Sequence, residues 1–294
     1  MAVASGKLRA ESAGFHFWKL AAPFTLAAGL LLVLAWPVLH FWAYEYAKPE
    51  SYYGHAPLIP LLAALMLWHT RTALAAVVKT PAVQAIGLLL PALALLIFAQ
   101  KIEAEALEST GLLLTLTAGV WLTLGTAFVR AAWFPIGFVW LMAPLPGPVL
   151  NEATQRAQML STVLADRLLH CAGFGTTLTG SIIQMEDYSL FVDVPCSGFK
   201  LLLALLTFSA AFAFLVNGSL PKRLGLFAFS LPLSLGVNSV RIALIGVVGE
   251  CVGVPAAHVF HDWSGLITLA LGFTALFALA KGLGCRTFAG WAIF

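Results

Sequence analysis

The chain has 294 residues, 61% of them apolar and only 10% charged, with a mean hydropathy of +0.93. Soluble domains run at about 45–50% apolar and about 25% charged residues. A water-soluble globule, a disordered chain, collagen and a coiled coil are therefore excluded, and the fold class is read as an all-α polytopic membrane protein. The net charge of +3 comes with no basic stripe for nucleic acid. Cys171, Cys196, Cys251 and Cys285 are spaced as neither a disulfide framework nor a zinc ribbon.

In chain order, a window of about 19 residues gives eight expected spans, at roughly 20–42, 56–78, 82–100, 111–130, 133–150, 197–217, 224–249 and 263–281. The first apolar run is longer than a signal-peptide core and reads as an uncleaved anchor. Pro144, Pro146 and Pro148 mark an early end to the fifth span. No internal repeat or linker divides the chain, so residues 1–294 are read as one integral-membrane domain. Within 150–172, Ala153, Ala157, Leu160, Leu164 and Leu168 recur at helical spacing, the pattern of an amphipathic helix suited to the outer interface. Residues 176–194 flank Glu186-Asp187 with apolar positions and read as a short hairpin. The chain then reaches Pro195-Cys196-Ser197-Gly198, where span six begins.

Charge sets the orientation. With a cytoplasmic N-terminus, Lys7, Arg9, Lys19, Arg71, Lys79, Arg130, Lys222, Arg223, Lys281 and Arg286 fall inside. Lys48, Lys101, Arg156, Arg167, Lys200 and Arg241 fall outside, together with every acid except Glu11. This is the bias the positive-inside rule expects, and both termini are read as cytoplasmic.

That topology brings three reactive side chains to one depth on one side: Cys196 opening span six, Arg241 near the outer end of span seven, and His261 just before span eight. Singly, a membrane Cys is more commonly a packed small hydrophobe, and a loop His is a solvated one. An Arg in an apolar helix is harder to dismiss, at about 2.5–3.5 kcal/mol on the insertion scale. A helix start, Lys200 one turn on and Arg241 all favour the Cys196 thiolate, against apolar burial. Asn238, one turn before Arg241, either orients it or makes an interhelical hydrogen bond worth about 0.6 kcal/mol. Ser197 reads as a helix-start hydroxyl. His258 shares the loop with His261, which is preferred because Asp262 or Ser264 can cap the first turn and Gly265 leaves room for close approach. Cys171, Cys251 and Cys285 read as structural, with a Cys171–Cys251 disulfide left open. Cys251, His258, His261 and Asp262 have donor types that suit a metal. They leave Cys196 and Arg241 without a role, so no metal and no cofactor are expected.

Three motifs carry a resemblance: Cys196-Ser197-Gly198, Asn238-Ser239-Val240-Arg241, and His261 followed by Gly265. Weaker stretches are Tyr53-Gly54-His55-Ala56-Pro57-Leu58-Ile59-Pro60 and Phe134-Pro135. In this order, over roughly residues 50–280, the chain resembles the exosortase/archaeosortase family of membrane-embedded cysteine transpeptidases. It departs from the family pattern at Pro195 and at Gly54 and Ala56. The resemblance implies secreted protein substrates that end in a PEP-CTERM-like tail: a short motif, one transmembrane helix and a basic cluster. It also implies a bacterial inner-membrane location with the site on the extracytoplasmic side. Cys196 would then form a thioester, Arg241 would stabilise the oxyanion, and His261 would move protons. The acceptor, whether lipid, glycan or water, is open. A transporter, marked by intramembrane charge, and a structural component of envelope or exopolysaccharide machinery are the alternatives. The one-sided charges and the lack of an inverted repeat speak against the transporter.

Overall fold

Apolar runs in a membrane satisfy their backbone groups by closing into helices, and helices dominate this chain. The structure, a computed structural model, describes residues 2–49, 51–193, 198–285, 287–288 and 290–292, with side chains from Thr25 to Gly290. Among the described residues, five helices are long and apolar enough to cross a membrane. They are Thr25–Ala47 within α1 (Ala2–Ala47), Val83–Lys101 including α4 (Ile86–Lys101), α5 (Glu105–Ala131), α9 (Leu220–Val252) and α10 (Val254–Gly282).

The expected count of eight is not confirmed among the described residues, where the bent pair of Trp133–Met142 and Gly147–Cys171 raises the five to six at most. The span expected at 56–78 breaks at Thr70 into α2 (Ile59–His69) and α3 (Arg71–Ala75), where the Thr70 hydroxyl donates back to the Met66 carbonyl at 2.9 Å. The span expected at 133–150 is only α6 (Trp133–Phe138) and a 3-10 turn to Met142, followed by a bend of 84° into α7 (Gly147–Cys171). The cause is local. Proline pushes its predecessor out of the helical region, and Ala143, before Pro144, is extended at φ −72°, ψ 129°. Span six is realised as α8 (Phe199–Leu215), a shorter apolar helix of 17 residues.

The expected amphipathic helix is α7, and its leucine stripe faces outward, as an interfacial helix requires. Leu160, Leu164 and Leu168 are exposed, whereas Thr154, Gln158, Ser161, Thr162 and Ala165 are buried. In a membrane protein the apolar stripe serves the lipid side, and small or hydrogen-bonded residues pack inward. The expected hairpin is a three-stranded antiparallel meander of β1 (Thr177–Thr179), β2 (Ile182–Gln184) and β3 (Ser189–Phe191). Leu169 of α7, Ile183 and Val192 of the meander, Ile242 and Ile245 of α9, and Ala257 of α10 share one core. This forms a cap over the end of α9, where the Asp187 N–H donates to the Glu250 carboxylate at 3.1 and 3.2 Å.

Elsewhere α1, α4 and α5 pack around Val38, Trp42, Leu96 and Leu112, and Trp42 Nε1 donates to Ser109 Oγ at 2.8 Å. The two weaker motif stretches meet in a third core of Tyr53, Ile59, Phe138, Phe134 and Leu215. There Tyr53 Oη accepts from the Leu145 N–H at 2.8 Å and pins the proline-rich bend. A hairpin of β4 (Thr287–Phe288) and β5 (Trp291–Ala292) follows α10 and was not anticipated. Gly253 alone joins α9 to α10, at φ +105°. A side chain rarely adopts that conformation, and Pro255 in the first turn of α10 is a favoured helix opening.

Candidate functional site

The site is built on the start of α8 and the facing stretches of α9 and α10. Cys196, Ser197 and Pro195 lie outside the described residues, and Gly198 is the first described residue after them. Gly198 precedes α8 at φ +76°, and a Cβ there would lie 2.4 Å from the Asn238 side chain. Two separate demands, the left-handed backbone and the close approach, therefore call for glycine at 198. They bring Gly198 to Asn238, which is 1% exposed on α9.

One helical turn further along α9 stands Arg241. Its Nε donates to Ser264 Oγ of α10 at 2.7 Å, and Nη2 donates to the His261 carbonyl at 3.2 Å. The Ser264 hydroxyl donates to that same carbonyl at 2.8 Å. Two of the five guanidinium N–H donors are thus fixed on α10, which holds the plane of the group relative to the His261 backbone. The His261 side chain is 39% exposed, with Nδ1 3.4 Å from Oδ1 of the exposed Asp262. The structure thus brings Gly198 of the first motif to Asn238, and Arg241, one turn along the same helix, to Ser264 and the His261 carbonyl.

Several sequence expectations change here. Arg241 is not near the outer end of its helix, since α9 runs on to Val252, about 16 Å further at 1.5 Å per residue. His258 and His261 are not in a loop but in the second and third turns of α10, which starts at Val254. Asp262 and Ser264 therefore cap nothing, and the first turn has no side-chain cap. Polarity at 258–262 suggested a loop, whereas the Gly253-Val254-Pro255 punctuation was the better signal. A Cβ on Gly265 would meet open space.

Lys200, in the first turn of α8, donates to the Pro49 carbonyl at 3.4 Å. The same segment carries His55, whose Nε2 is 3.3 Å from Thr207 Oγ1 of α8. Burial, then the Lys200 charge, push the His55 imidazolium down to about 4, so the ring is neutral at pH 7. Ser264, His55 and Gln158 were not singled out as site residues from sequence. Gln158 is buried on α7 and donates to the Val192 carbonyl at 2.5 Å, two residues before the 194–197 segment. Only its place opposite the apolar stripe could have marked it. Cys171 and Cys251 are exposed free thiols and Cys285 is buried. Among the described residues no group of three or more His, Cys, Asp or Glu side chains is placed to hold a metal ion.

A family model described as transmembrane exosortase matches residues 42–278. The chain belongs to the transmembrane exosortase family. No match was found among the curated proteins or among the solved structures. The exosortase match contains all three motif segments and ends within α10, and the long apolar helices agree with a multi-pass membrane protein.

Proposed function

We propose that this exosortase is a cysteine transpeptidase that cleaves C-terminal sorting tails of secreted proteins at the outer face of the bacterial inner membrane. The observation that carries this reading is that one turn of α9 meets both other motif segments, Gly198 at Asn238 and the His261 carbonyl and Ser264 at Arg241. It unites three motifs that lie far apart in sequence. Depth supports it. Arg241 is 19 residues from Lys222, and Ser264 is 17 residues from Lys281, about 28 Å and about 26 Å along two separate helices. Both lengths approach the hydrocarbon thickness of about 30 Å. With the basic residues inside, as the positive-inside rule favours, this reading has the cluster at the outer boundary, the cap beyond it and both termini cytoplasmic.

The chemistry is acyl transfer. The Cys196 thiolate attacks the scissile carbonyl, and the electron pair moves to oxygen. Arg241 stabilises that oxyanion, a role in which one lost donor costs roughly 10²–10³ in rate. His261 gives a proton to the departing amine as the C–N bond breaks and the thioester remains. It then takes a proton from the acceptor, which attacks the thioester and releases Cys196. With water as acceptor the same steps give hydrolysis. Cys196→Ala, co-expressed with a tailed secreted reporter, is expected to accumulate in the membrane and leave the tail uncleaved. Normal cleavage by that variant would overturn the proposal in favour of a scaffold.

A further inference from the structure

A groove of about 530 Å³ runs between α9 and α10, and its lining includes Arg241 and Ser264. About one turn beyond them it ends at Leu244 and Phe260, and the other way it continues past Val240, Val237 and Gly236 to Phe229 on α9, and past Ile267 and Leu271 to Ala275 on α10. From Phe229 to Leu244 and from Phe260 to Ala275 is about 22 Å of each helix. Its rims are open, with Ile267 51% and Leu271 52% exposed, and its floor at Ser264 and Thr268 is buried.

The polar atoms of that floor are turned inward. Ser264 Oγ serves Arg241 and the His261 carbonyl, and Thr268 Oγ1 donates to carbonyls of its own helix at 2.9 Å. Below Arg241 the lining offers a polypeptide no backbone partner. A peptide lying there must satisfy its own N–H and C=O groups, which in a lipid-facing groove means an α-helix. Where α9 passes the middle of the groove it presents Gly236, and a Cβ built there meets nothing within 4 Å. Such a missing side chain lets a neighbouring helix approach closely.

We infer that the groove seats the transmembrane helix of the substrate, packed lengthwise between α9 and α10, with its outer end at Arg241. This deepens the proposed cleavage reaction and rests on it. The helix ends at the depth of Arg241, and the residues just beyond it leave helical geometry there.

The test uses the full-length chain in the Cys196→Ala background, a photo-crosslinking residue at Leu271 or Val237, and a reporter ending in a motif, one apolar helix and a basic tail. Crosslinks to the reporter's helix are expected from both positions and not from Leu90, a lipid-exposed site on α4. In the chain with Cys196 intact, Gly236→Leu is expected to lower cleavage by about tenfold or more, as overfilling a packed site does. Gly87→Leu, which also projects into open space, is expected to leave cleavage unchanged. Crosslinks to phospholipid alone, or equal crosslinking from Leu90 and Leu271, would overturn the docking site, and so would full cleavage by Gly236→Leu. If that variant fails to accumulate, the crosslinks decide. A reporter that crosslinks at Leu271 yet is never cleaved by the wild-type chain upholds the docking site and sinks the cleavage reaction instead.

Discussion

Arg241 donates to the His261 carbonyl, so its guanidinium keeps a fixed relation to the His261 backbone. His258, one turn earlier on α10, is exposed and has no such tie to Arg241. His261→Ala is accordingly expected to slow tail cleavage by at least about 10², and His258→Ala to stay near wild type at equal membrane levels. The reverse order in a cleavage time course would remove His261 from the mechanism. Arg241→Lys should be impaired as severely, because an ammonium cannot reproduce a guanidinium plane held at two points. Gly198 is the other exacting position. Gly198→Ala combines a strained left-handed backbone, about 1–2 kcal/mol, with a collision against Asn238. It should cost activity, and Asn238→Ala should restore part of it by removing the collision alone. No restoration in the double variant would mean that the contact does not position the nucleophile segment.

At the level of elements, the residues that could be read in advance were those whose signal is additive. Long apolar stretches became α4, α5, α9 and α10 because hydropathy sums over a turn-by-turn repeat. The bend after Met142 was announced by Pro144, Pro146 and Pro148, whereas a window average carries no mark of the break at Thr70. The outward leucine stripe of α7 follows from helical spacing, whereas its buried polar face at Gln158 and Ser161 rests on packing. The motif order picked out Cys196, Arg241 and His261, whereas Ser264 and His55 needed the helix register that only three-dimensional packing supplies. His55 carries a pH consequence for the packing of the 49–60 segment on α8. The unfolded chain binds its proton near 6.5 and the folded chain near 4, so the unfolded state takes up more protons between those values. Stability from His55 is complete above about 6.5 and is lost as pH falls toward 4. His55→Gln should flatten that decline. The check is a set of thermal melts in detergent from pH 7 to pH 4.5, where an unchanged slope would exclude His55 as its source.

Across the whole molecule, α9 ties the two membrane faces together. It holds Lys222 at one end, Arg241 at the depth of one bilayer, and Glu250 in the cap. The expected labelling pattern follows. Cys171 and Cys251, exposed around the cap, should react with a membrane-impermeant thiol reagent added from outside. Cys285, buried beyond the other end of α10, should not. A single cysteine placed in the Lys222-Arg223 turn should be reached only after permeabilisation, and labelling from outside would invert the molecule. The groove beside Arg241 has a last implication, for encounter. Its mouth opens sideways between exposed Ile267 and Leu271, so the proposed helix would arrive by lateral diffusion and never cross bulk water. The concentration that governs the reaction is then copies per membrane area. Diluting vesicles with buffer should leave the rate untouched, and diluting the same proteins with extra lipid should slow it.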